Sequence, residues 1–129
     1  MSKKAVPMPT DAELAILTVL WERGPSTVRE VHEDLERAEP VRYTTTLKQM
    51  QVMFEKGSLA RDESLRAHVY RPAIAEEGTL RRVTVDLLDR VFGGSAEKLV
   101  MHALQARRAS PEELQNIRRL IDEIGGRRR

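Results

Sequence analysis

Within one short stretch, Thr44, Thr45, Lys48 and Gln49 carry side chains suited to reading a polar, anionic surface edge by edge. Thr45, Lys48, Gln49 and Val52 recur at i, i+3, i+4 and i+7, the spacing of a single helix face. Lysine brings a mobile cation for phosphate or guanine. Glutamine offers a paired donor and acceptor that match adenine, and threonine a hydroxyl with a methyl that suits thymine. No acidic residue occurs from Arg42 until Glu55, as a close approach to a polyanion requires. Tyr43 and the hydroxyls after it can hydrogen-bond phosphate beside the unpaired N–H groups of a helix N-terminus. An ordinary amphipathic helix with a solvated polar face has the same pattern, so this stretch does not decide the matter alone.

A second cluster follows. Arg61, Arg66, His68 and Arg71 surround Glu63-Ser64-Leu65-Arg66, which separates two β-like runs, Leu59–Asp62 and Ala67–Arg71. Arg66, at the tip of such a loop, is the strongest candidate for a phosphate contact. Arg71, next to Pro72, is either a second contact or a solvated strand end.

Catalytic and metal chemistry find little support. His32, His68 and His102 stand in no H-E-x-x-H or comparable ligand spacing, no glycine-rich phosphate loop occurs, and all three read as surface histidines. Cysteine is absent, which removes thiol catalysis, zinc ribbons and disulfides. Aromatic residues make up 4% of the 129, too few for a surface that stacks single-stranded bases. No cofactor, no metal and no enzymatic activity are expected.

The elements that must position these residues are mostly helices. A capping box, Thr10 with Glu13, opens a helix over Pro9 to Trp21, carrying Leu14, Ile16, Leu17 and Leu20 and stopped by Gly24-Pro25. Thr27 and Glu30 open a second, with Val28, Val31 and Leu35 at i, i+3 and i+7, broken at Glu39-Pro40. The third runs from Thr44 to Lys56, buries Leu47, Met50, Met53 and Phe54, and ends at Gly57. The β-like runs then make a hairpin. Helix–helix–helix–hairpin is the winged-helix order, in which the third helix enters the major groove and the wing grips the backbone.

Beyond residue 75 three more helices are expected: Gly78 to Phe92, broken by Gly93-Gly94; one capped by Ser95; and one from Ser110-Pro111 to Gly125-Gly126. Met101 is placed among their core residues with Met50 and Met53. Arg127-Arg128-Arg129 reads as a frayed tail. The fold class is therefore mainly α: a winged helix-turn-helix domain over 1–75 and a three-helix region over 76–129. So short a helical region rarely buries enough apolar surface by itself. A homodimer is expected, paired through Val83, Leu87, Leu88, Val91, Leu99, Val100, Leu104, Ile117, Leu120 and Ile121.

The segments Pro9–Leu35, Val41–Gly57 and Arg66–Pro72, together with Phe92–Leu104, resemble the BlaI/MecI penicillinase-repressor family over nearly the whole chain. The resemblance implies a homodimeric winged-helix repressor bound to double-stranded DNA at a palindromic operator. DNA would be read by the helix that starts at Tyr43-Thr44-Thr45, and the C-terminal helices would dimerise. It also implies a sensor protease as a partner of the β-lactam-responsive members, which are cut at an Asn-Phe step. Here His102-Ala103 stands at the aligned place, so that route of induction is open to question. The copper-responsive branch uses a cysteine motif, which this chain lacks. Many relatives have glycine at the wing turn where this chain has Leu65, which leaves the turn geometry open. A winged helix can also bind protein, so an adaptor module is the alternative reading.

No apolar run approaches the roughly 20 residues of a membrane span, and MSKKAVPMPT has no apolar signal core. A cytoplasmic location without membrane partners is expected. The formal net charge is only +2, but it is sorted along the chain. Residues 1–40 hold 5 basic and 8 acidic side chains, residues 41–75 hold 6 and 3, and residues 76–129 hold 11 and 9. The excess of cations falls on the third helix and hairpin.

Overall fold

The computed structural model describes residues 6–127; the N-terminal part of the signal reading and Arg128-Arg129 of the expected tail lie outside the described residues. Three helices come first: α1 (Asp11–Arg23), α2 (Val28–Ala38) and α3 (Tyr43–Lys56). A two-residue strand β1 (Ser26–Thr27) lies between α1 and α2, and the hairpin β2 (Leu59–Asp62) and β3 (Val69–Pro72) follows α3. The last helices are α4 (Glu76–Val91), α5 (Ala96–Ala106) and α6 (Pro111–Arg127).

Both N-terminal capping boxes form. The Glu13 N–H donates to the Thr10 hydroxyl at 3.2 Å while the Thr10 N–H donates to the Glu13 carboxylate at 2.9 Å. Thr27 and Glu30 repeat the exchange on α2. Gly57 takes the left-handed conformation, φ 92°, which lets its own N–H and that of Ser58 close the end of α3. A side chain at that φ would be strained.

β3 is the middle strand, antiparallel to both β1 and β2. Ser26 lies opposite Tyr70, and Arg61 lies opposite Tyr70 on the other side. The core joins Ile16, Leu17 and Leu20 of α1 to Val31 of α2, Met50 and Met53 of α3, and Leu59 and Tyr70 of the sheet. Each such side chain contributes roughly 1.5–3 kcal/mol by leaving water, so α3 is seated firmly on its inner face. Trp21, packed at the core's edge, donates its indole N–H to the Ile74 carbonyl at 3.3 Å. That bond ties the end of α1 to the segment that leads into α4.

Several expectations need correction. The hairpin loop is longer than Glu63–Arg66, because β3 begins at Val69 and the Asp62 carboxylate turns the chain by accepting the Ser64 N–H at 2.9 Å. Helix α6 does not stop at Gly125-Gly126 but continues to Arg127. Glycine costs a helix about 1 kcal/mol per residue, but it ends one sharply only by taking positive φ. Gly93 and Gly94 do so at 58° and 83°, whereas Gly125 and Gly126 do not. Met101 is exposed rather than part of a core, and His32 is buried rather than on the surface.

The chain divides into two compact units inside α4, between Thr84 and Val85. The first holds the complete winged helix. In the second, no described residue is buried, although Phe92 and His102 pack ring to ring at 5.8 Å.

Candidate nucleic-acid interface

Helix α3 buries Thr46, Met50 and Met53 and turns Thr44, Thr45 and Lys48 to solvent, with Gln49 and Val52 half-exposed at the flank. Thr44, Thr45, Lys48, Gln49 and Val52 line one open groove with Thr10 and Glu13 of the α1 start. Five of the sequence-predicted residues therefore share one surface. Arg42, at the N-cap of α3, makes no side-chain cap, in contrast to Thr10, Thr27 and Ser95 on α1, α2 and α5. The Tyr43 and Thr44 N–H groups are thus left for an anion or water, while those of Thr45 and Thr46 turn back to the Arg42 carbonyl.

A carboxylate in this groove would repel phosphate, but Glu13 is neutralised by the Lys56 ammonium at 3.0 Å. Burial alone would raise the Glu13 pKa. The Thr10 N–H, the Lys56 ammonium and the Thr10 hydroxyl outweigh it and hold the carboxyl below its ordinary 4.5. A depressed folded value means the ionised group stabilises the fold above pH 4.5, and that stabilisation is lost as pH falls through the lowered value. Glu13→Gln should therefore flatten the acid limb of the stability profile below that pH, as denaturant titrations across pH 2.5–6 would show. An acid limb as steep as that of the unsubstituted chain would exclude this role for the pair.

The wing carries less available charge than the sequence offers. The half-buried Arg61 guanidinium is held by the Glu63 carboxylate at 2.8 Å and bonds the Tyr70 hydroxyl at 3.3 Å. It also lies 4.0 Å from the Phe54 ring centroid, so it fastens the hairpin to the end of α3. Glu63 is in turn held below its ordinary pKa by Arg61. Arg61 is therefore a structural cation whose charge is already paired within the hairpin.

Arg66 remains exposed at the tip. With His68 and Tyr43 it lines a second groove, between the start of α2, α3 and the wing. Arg71 is exposed on β3 opposite Ala60, outside the residues that line either groove.

This second groove also contains residues that sequence reasoning missed: Thr27 and Arg29 at the start of α2, and the exposed Gln51 on α3. Tyr43, Leu47 and Gln51 recur at i, i+4 and i+8 and all line it. That spacing was the available signal for Gln51. Arg29 could not be found so, because it meets Tyr43 only through the packing of α2 on α3, with its guanidinium 5.0 Å from the ring centroid.

Of the residues expected to pair two chains, Val83, Leu87, Leu88, Leu99 and Ile117 are half-buried. Val91, Val100, Leu104, Leu120 and Ile121 are exposed, as is Ile124.

Comparisons with known proteins agree with this geometry. The family model described as "Penicillinase repressor" matches residues 9–123. The penicillinase repressor of Bacillus licheniformis is 25% identical over 126 residues, covering 98% of each chain. The transcriptional regulator BlaI of Mycobacterium tuberculosis is 30% identical over 116 residues, 88% of this chain and 83% of that one. The solution structure of monomeric Bacillus licheniformis BlaI in complex with the blaP half-operator superposes with a TM-score of 0.50 and 28% identity. The match covers 58% of this chain and 92% of that one. The winged helix and this agreement lead to one conclusion: the chain belongs to the penicillinase repressor family, whose members regulate transcription and are not enzymes.

Proposed function

We propose that this protein is a cytoplasmic, homodimeric transcriptional repressor that binds a palindromic double-stranded operator. Helix α3 of each protomer lies in the major groove, with Thr44, Thr45, Lys48 and Gln49 toward base edges and Val52 beside them. Tyr43, Arg66 and Arg71 hold the phosphate backbone. Residues 1–75 form the DNA-binding domain and residues 76–129 pair the two chains. The observation that carries this reading is the α3 face itself: an uncapped start and a shared groove whose carboxylate is already paired with Lys56. Two further facts support it. A relative of the same family was solved on an operator half-site, and no helix of the described residues is long and apolar enough to cross a membrane.

Pairing of the C-terminal region follows from its lack of a core. Helices α5 and α6 expose Val100, Leu104, Leu120, Ile121 and Ile124, more apolar surface than a lone segment leaves in water without a partner. Two half-sites bound by one dimer reinforce each other, so anything that separates the protomers releases the DNA.

Titration of an operator duplex against rising salt tests the reading. Arg66→Ala should reduce the slope of log affinity on log salt by about 0.9, the share of one phosphate contact, and weaken all sequences alike. Affinity for duplex that is absent, or independent of both salt and sequence, would instead favour a module that binds protein.

A further inference from the structure

We propose that His32 is a positioning residue for DNA binding: it locks the first turn of α3 onto α2 so that Arg29 and Tyr43 form a phosphate clamp. The inference rests on the DNA-binding reading above and adds a binding element and its support.

His32 lies on α2 and is only 7% exposed. Its Nε2 is bonded to the Glu36 carboxylate one turn further along α2, and its Nδ1 lies 3.4 Å from the Thr46 hydroxyl of α3. A carboxylate has no proton to give, so Nε2 carries the hydrogen. Nδ1 is left to pair with the Thr46 hydroxyl. With both nitrogens engaged, the imidazole is held in one orientation.

That fixed ring meets Tyr43 in an edge contact, with centroids 5.4 Å apart and planes at 87°. Tyr43 and Thr46 stand at i and i+3 of α3, so one histidine grips the opening turn of the reading helix at two points. The Arg29 guanidinium rests over the same tyrosine ring at 5.0 Å. Arg29 makes no ion pair among the described residues, and its cation and the Tyr43 hydroxyl border the groove that also holds Arg66.

A cation and a phenol held in fixed relation suit one backbone phosphate. The same lock sets the position of Thr44 and Thr45, which directly follow Tyr43. A side chain that only filled space would affect stability without determining how many phosphates are held.

The test uses the full chain, a double-stranded operator and a salt series. Arg29→Ala should reduce the salt slope by about 0.9. His32→Phe keeps an aromatic ring but loses both hydrogen bonds. It should reduce the slope by a similar amount, and the double variant should fall no further than either single one. Thr46→Val releases Nδ1 without touching the histidine and should move the slope the same way, so the test survives if His32→Phe does not fold. Folding is followed by Trp21 fluorescence.

A slope unchanged in His32→Phe and Thr46→Val, or losses that add to that of Arg29→Ala, would overturn the proposal while leaving the DNA-binding reading intact. A parent chain whose duplex affinity ignores salt would remove both.

Discussion

Ile121→Asp is expected to convert the proposed dimer to a monomer with its winged-helix unit intact and to lower operator affinity by roughly 10²–10⁴-fold. Ile121 is 58% exposed and its neighbour Leu120 is 55% exposed, in a unit with no buried described residue. Within one chain, a substitution at so open a site changes stability little, typically within about 0.5 kcal/mol. Across a two-fold interface, the same aspartate buries an unpaired charge twice, and such charges cost several kcal/mol. The two effects separate cleanly. Sedimentation should show the loss of pairing while the winged-helix unit keeps its Trp21 fluorescence. A variant that still sediments as a dimer and binds the operator at full strength would place the interface elsewhere.

Met50→Ala is expected to destabilise the winged-helix unit by roughly 2–5 kcal/mol. Met50 is fully buried on the inner face of α3, among Ile16, Leu17 and Met53. Removing its thioether leaves a cavity under the helix whose outer face is proposed to read DNA. Such a loss is a large fraction of the roughly 5–15 kcal/mol that holds a native domain together. Denaturant titration at neutral pH would measure it. A change below about 1 kcal/mol would mean that α3 is not anchored through this face.

How far the sequence discloses these features depends on whether their cause is local. Thr10 with Glu13, Thr27 with Glu30, and Gly57 each act within one helical turn, and the helix ends they predict are found within two residues. The face of α3 is equally local, since 3.6 residues per turn place Thr45, Lys48, Gln49 and Val52 together. β1 is invisible because two residues have no periodicity and Ser26 is a strand only through Tyr70, far along the chain.

Arg61 shows the same limit in a site residue. Its charge reads as available for phosphate until the hairpin register sets it opposite Tyr70 and over Phe54. His32 reads as a polar residue of an amphipathic helix, although its place four residues after Val28 lies beside the apolar stripe. Its burial follows from Thr46 and Tyr43 on another helix. The apolar stripes of the C-terminal helices are plain in the sequence. In the proposed dimer a second chain covers them, which no pattern within the first can specify.

In the proposed function the outer face of α3 reads a DNA sequence. The most direct test of that claim is selection of bound duplexes from a random pool, run in parallel with the unsubstituted chain, Lys48→Ala and Gln49→Ala. The unsubstituted chain should enrich a palindrome whose half-sites lie about 10 base pairs, or a multiple of that, apart. Each substitution should relax preference at about one position per half-site, at a cost of ~1–3 kcal/mol. Enrichment of the same sequence by all three proteins, or of none by the unsubstituted chain, would contradict the claim.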